Sequence, residues 1–113
     1  MTPPPASPVR LVLSTCADPQ SADAIARALV GERLAACVNV LPGVSSTYRW
    51  RDAIEQAHEV LLLIKTTADR QDALIARLQA LHSYELPEAV VVEAVGGLAP
   101  YLQWVAEQTR EHD

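Results

Sequence analysis

Residues Cys37–Thr67, CVNVLPGVSSTYRWRDAIEQAHEVLLLIKTT, decide the reading of the fold. Two strand-like runs flank a short polar break at Arg51-Asp52-Ala53. In the first, Val44, Ser46, Tyr48 and Trp50 alternate with Ser45, Thr47, Arg49 and Arg51, and a period of two marks a strand with unlike faces. In the second, Leu61 and Leu63 point one way while Val60, Leu62 and Ile64 point the other. A strand apolar on both faces must be covered on both faces. Helices on one side of a small sheet leave the other side bare, so a second subunit is the simplest cover.

The 113 residues suit one domain, placed at 9–113 behind a proline-rich extension, MTPPPASP (1–8), read as disordered. Half the residues are apolar but only 4% are aromatic and none is Phe, so the core is aliphatic. A net charge of -5 with nine scattered Lys and Arg argues against a nucleic-acid partner. The apolar runs fall well short of the ~20 residues of a membrane span, which excludes a membrane partner through helices. With no export signal and two cysteines, the expected setting is the reducing cytoplasm.

Outward from the central stretch, Val9–Ser14 reads as strand one. Asp18-Pro19 supplies an N-cap and a first-turn proline for a helix that ends near Arg33. Strand two opens at Cys37. Pro42-Gly43 either closes a hairpin or bends one long strand that turns at 51–53, and spacing slightly favours the hairpin. Strand three runs from about Ile54 to Thr66, and Thr66 or Thr67 caps the next helix, with a buried stripe of Leu74, Ile75, Leu78 and Leu81. Pro87 keeps 82–88 a loop, Ala89–Val95 is strand four, and Pro100 opens a helix with Tyr101, Trp104 and Val105 on one face. The order is α+β, a ferredoxin-like βαββαβ sandwich with an added C-terminal helix.

No glycine-rich phosphate loop, GxSxG, HExxH or CxxC is present, so any site must be assembled by the fold. The topology puts Cys16 and His82 at one edge of the sheet, and Cys37 at the opposite edge near Lys65. A strand of about six residues spans roughly 20 Å, whereas a disulfide needs Cα atoms within about 7 Å, so the two cysteines should not pair. Thiolate and imidazole suit Cu(I) or Zn, which makes Cys16, His82 and Glu85 candidate metal ligands. The plainer alternative is a core cysteine and an exposed loop histidine. Cys37 reads first as core, and Glu59 and Lys65 as charges solvated or paired at the strand ends. A second reading groups Cys37, Tyr48, Trp50, Glu59, Lys65 and Tyr84 in a subunit cleft for a small ligand. His58 and His112 read as surface.

ERLAACVNVLPGVSSTYRW, then Glu59 with LLLIKTT, then H-x-YE-x-PE and YLQWV, resemble the CutA family of divalent-cation tolerance proteins over about Val9–Arg110. The resemblance implies a homotrimer, related in fold to PII signalling proteins, whose long β2–β3 hairpins pair across subunits. It makes Pro42-Gly43 a bend. It implies copper or another divalent cation as ligand and no organic cofactor. The family's strand-one cysteine position is Ser14 here, with Cys16 two residues later; Leu81, Ser83 and Asp52 also depart from its pattern. The expected function is therefore a cytoplasmic, trimeric, copper- or divalent-cation-binding protein of metal tolerance. The alternative is a PII-like module binding a small anionic metabolite between subunits. An enzyme would need a nucleophile beside a base, and no such pair stands out.

Overall fold

The computed structural model describes residues 7–111, so the expected extension lies outside it except for Ser7 and Pro8, and so does His112. The elements are β1 (Val9–Cys16), α1 (Pro19–Gly31), β2 (Cys37–Trp50), β3 (Ala53–Thr67), α2 (Gln71–Leu81), β4 (Val90–Glu93) and α3 (Ala99–Gln108). They form one antiparallel sheet in the order β2-β3-β1-β4, the expected α+β arrangement.

β2 is one strand of 14 residues. Its pairing with β3 slips between Leu41 and Val44, where Gly43 adopts φ +81°, a conformation that glycine reaches without a Cβ penalty. Pro42-Gly43 is thus a bulge, and the chain reverses at Arg51 and Asp52, both at positive φ as a two-residue hairpin loop demands. β3 has 15 residues, roughly 50 Å at ~3.3 Å each. The hairpin therefore stretches the molecule to 58 Å in its long dimension.

α1 and α2 cover one face of the sheet. Val12, Cys16, Val60, Leu62 and Ile64 point into them and meet Ile25, Leu29, Leu74 and Leu78. Full burial of each such aliphatic side chain contributes about 1.5–3 kcal/mol. Among the described residues the other face is covered only at one end, where α3 sets Val105 and Leu102 on Val9 and Ala36. Beyond α3, register places Leu13, Val90, Leu41, Leu61 and Leu63 on that same face, half-buried or exposed and with no helix of the described residues above them.

Four boundaries differ from the sequence reading. β1 continues through Thr15 and Cys16, because both pair with β3. α1 stops at Gly31, and Arg33 takes a left-handed φ of 60° just past its end. Thr66 and Thr67 do not cap α2: both are still paired with β1, and their hydroxyls bond the Leu34 carbonyl (2.6 Å) and the Asp69 carboxylate (2.6 Å). The cap position falls to Arg70, with no side-chain bond. β4 is only Val90–Glu93, since four residues find partners on β1. On α3 it is Val105 that enters the core, while Tyr101 and Trp104 stay exposed.

Ser14 sits on the helix-covered face with no exposure, and its hydroxyl has no partner among the described residues. An unsatisfied buried polar group costs about 1–3 kcal/mol. Ser14→Ala should therefore raise the unfolding free energy by an amount in that range, read by denaturant titration; a loss of stability would show that the hydroxyl is bonded in solution.

Candidate functional site

At the far end of α2 the His82 N–H bonds the Leu78 carbonyl (3.0 Å), and the extended backbone of His82 then turns the chain away from the helix axis. With Pro87 barring a new helix, residues 82–88 fold back along the end of β1. His82 Nε2 lies 2.7 Å from the Thr15 carbonyl, and Nδ1 accepts the Tyr84 N–H at 3.1 Å. The carbonyl can only accept, so Nε2 carries the proton and Nδ1 offers the lone pair; the network assigns the tautomer.

Cys16 Sγ is 3.9 Å from His82 Nε2. The sequence reading placed these two at one edge, and the structure brings them together. Burial, reinforced by the charges of Asp18 and Glu59, pushes the Cys16 thiol up to about 11. A protonated thiol beside an N–H donor is neither a nucleophile with its base nor a ready thiolate ligand. Alkylation at pH 8 should therefore leave Cys16 unmodified in the native protein and reach it only after denaturation. Labelling of native Cys16 at the rate of a free thiol would contradict the assigned protonation. The sign for stability follows from the same shift: the contribution is complete below about 9, the ordinary value, and is lost as pH rises through about 11.

Glu85 is not part of this pair. Its carboxylate binds Arg51 (3.2 Å) across the loop, and Arg51 also lies 5.4 Å from the centre of the Trp50 ring. Among the described residues no three His, Cys, Asp or Glu side chains come close enough together to hold a metal ion. The Cys16–His82 donors have the softness for copper. As arranged they do not fit a resident centre, with both imidazole nitrogens engaged, the thiol protonated and no third ligand.

A second feature is a cleft of about 640 Å³ between the β2–β3 hairpin and the loop 84–88. Period-two alternation puts Ser46, Tyr48 and Trp50 on one face of β2, with Glu59 on the same face of β3. The Tyr84 hydroxyl donates to Glu59 Oε2 at 2.7 Å. Partial burial opposes ionisation of Glu59, but the hydroxyls of Ser46, Tyr84 and Thr15 outweigh it and hold the carboxyl below its usual range. Burial and the neighbouring Glu59 raise the Tyr84 phenol in turn, so its proton stays in the hydrogen bond.

Of the six residues grouped as a ligand cleft, the structure assembles Tyr48, Trp50, Glu59 and Tyr84. Cys37 and Lys65 pair with each other in register at the opposite end of the sheet, where Lys65 Nζ lies 5.6 Å from the Tyr101 ring. Six residues of strand separate Lys65 from Glu59, roughly 20 Å. Sequence reasoning missed Thr15, Ser46 and Glu88, which also line the cleft. Ser46 was accessible from the alternation with Tyr48 and Trp50; Thr15 was lost when strand one was ended at Ser14.

Comparison with known proteins agrees with this architecture. Residues 10–108 match the family model described as CutA1 divalent ion tolerance protein. A divalent-cation tolerance protein CutA of Thermus thermophilus is 46% identical over 99 residues, covering 88% of this chain and 96% of that protein. The crystal structure of CutA from Xylella fastidiosa superposes with a TM-score of 0.89 at 53% identity, covering 92% of this chain and all of that one. CutA1 from Oryza sativa gives 0.91 at 36% identity, covering 95% and 98%. The chain belongs to the CutA1 divalent ion tolerance family.

Proposed function

We propose that this chain works as a cytoplasmic homotrimer in the cell's response to divalent metal ions. The metal role comes from the name its relatives carry, divalent-cation tolerance protein. The observation that supports assembly is the bare sheet face, with Leu13, Leu41, Leu61, Leu63 and Val90 side by side beyond the reach of α3. Contiguous exposed apolar surface of this kind marks a protein interface. A hairpin that runs on past β1 and carries the molecule to 58 Å, against 28 and 22 Å in its other dimensions, gives a partner a second surface to pair with. Two free cysteines favour a reducing compartment, and no helix among the described residues is long and apolar enough to cross a membrane.

Copper, in this reading, meets the protein at Cys16 and His82, the adjacent soft donors, and binding it requires the thiol to lose its proton and Nε2 to give up its bond to the Thr15 carbonyl. Glu85 takes no part, being held by Arg51. The three carboxylates lining the cleft, Glu59, Glu85 and Glu88, oppose the anionic metabolite of the alternative reading.

Native mass spectrometry of the reduced protein, with and without Cu(I), tests both parts. The expected result is a trimer across a wide range of concentration, with copper uptake lost in Cys16→Ser and His82→Ala while the trimer persists. A monomer at all concentrations would sink the assembly, and copper uptake indifferent to both variants would remove the site.

A further inference from the structure

We propose that residues 82–88 act as a strap that closes Cys16 off from solvent and opens locally, so that access to the Cys16–His82 donors is gated by the hydrogen bond between Tyr84 and Glu59. The gate stands on geometry alone, while its service to copper rests on the function proposed above. Cys16 ends β1 and is 1% exposed. A cavity of about 210 Å³ lies beside it, walled by Ser21, Ala24 and Ile25 of α1 and by Leu81, His82 and Ser83. The α1 wall is fixed, since Ala22, Ile25 and Leu29 of that helix are buried in the core. The His82–Ser83 wall is the one that can move. Cys16 points to the helix-covered side of the sheet, and the assembly proposed above leaves that side open.

The strap is held at few points. No residue from His82 to Glu88 is buried, Leu86 is 71% exposed, and among the described residues none of 83–88 makes a backbone–backbone hydrogen bond. Segments with so few buried contacts open at low free energy, independently of the fold as a whole. The inward links are side-chain ones. The imidazole of His82 donates to the Thr15 carbonyl and accepts the Tyr84 N–H, and the Tyr84 hydroxyl donates to Glu59 on β3. These bonds run in series from β1 to β3. Slackening the far one lets Tyr84 withdraw from His82, which leaves the ring a single hydrogen bond to hold it beside the thiol. The far bond is also the strong member, because its acceptor is a carboxylate. The Arg51–Glu85 pair is exposed on both sides and adds little. Burial is the main cause that keeps the Cys16 thiol protonated, so in the open form it regains ordinary acidity and reacts.

The test is the rate at which dithiodipyridine, a small uncharged disulfide, labels Cys16 at pH 8 in the full chain carrying Cys37→Ser, which leaves Cys16 as the single thiol. Tyr84→Phe, which deletes only the hydroxyl, should speed labelling by about ten- to a hundredfold, as for loss of a hydrogen bond to a charged group. Glu59→Gln should act in the same direction and serves if Tyr84→Phe proves misfolded by circular dichroism. Arg51→Ala should change the rate by less than about fivefold. Opening one short strap exposes little surface, so the rate should barely respond to urea below the unfolding transition. Hydrogen exchange of the amide at position 84 should quicken in step with labelling. Labelling unchanged in both Tyr84→Phe and Glu59→Gln would overturn the proposal. So would a urea dependence equal to that of global unfolding, since Cys16 would then be reached only with loss of the fold. The labelling contains no metal, so copper uptake followed on the same variants reports separately on the proposed function.

Discussion

Leu63→Asp is expected to abolish the proposed self-association and yield monomer at concentrations where the proposed trimer would form. Leu63 lies on the helix-free face between Leu13 of β1 and Asn39 of β2, half-buried in the single chain. Its solvation inside one subunit barely changes on substitution, so the fold should survive. In an assembly the same position is enclosed, and a carboxylate there must be desolvated in every subunit at a cost of several kcal/mol per ion. That outweighs the ~1.5–3 kcal/mol a buried leucine contributes. Sedimentation or light scattering reads the result. A Leu63→Asp protein that keeps the trimer mass would place the interface elsewhere. Because assembly stabilises by mass action, the melting temperature of the wild type should rise with concentration while that of the variant should not.

The neighbouring residue should behave differently. Leu62 points to the opposite face, has no exposure, and packs among Val12, Leu29 and Leu74. Leu62→Ala removes its buried methyl groups and leaves a cavity that the helices only partly close. The expected loss is about 2–5 kcal/mol of unfolding free energy. Denaturant unfolding measures it, with the number of subunits in the assembly unchanged where the variant remains folded. A loss below about 1 kcal/mol would mean that the two helices collapse onto the vacancy. One residue apart on one strand, these substitutions separate assembly from subunit stability, since a strand turns successive side chains to opposite faces.

The pH response of the cleft has a fixed sign. The folded-state pKa of Glu59 is lowered, so its contribution is present above the ordinary carboxylate range and is lost as pH falls through the lowered value.

How much of this was legible beforehand depends on the range of the interactions. Alternation at Ser46, Tyr48 and Trp50 and the doubly apolar run Val60–Ile64 encode strand, faces and the need for a cover, because the pattern of period two is local. The Asp18-Pro19 cap was legible for the same reason, and Asp18 does accept the Ser21 N–H at 2.7 Å. Cys16 and His82 were placed together from strand directions alone, and they lie 3.9 Å apart. Thr66 and Thr67 misled because a threonine before a helical stripe looks like a cap, whereas pairing with β1 claims both residues. Within the single chain Glu85 and Lys65 take neighbours that the sequence did not indicate, since long charged side chains choose partners after the backbone is in place. Glu85 found Arg51, brought near by the hairpin turn, and Lys65 found Tyr101 on α3.

The amino-acid order by itself therefore determined the elements and the two-sided strand, consequences of periodicity and short-range backbone preference, while the resemblance of its motifs supplied the family and made Pro42-Gly43 a bend within one strand. Only the tertiary structure decided which side chains share a site. It engaged both nitrogens of His82, left Cys16 protonated, and gathered Glu59, Trp50 and Tyr84 around one acidic cleft. Apart from the local His82–Tyr84 bond, those outcomes depend on contacts such as His82–Thr15 and Tyr84–Glu59, 67 and 25 positions apart, and such distances are set by packing across the sheet.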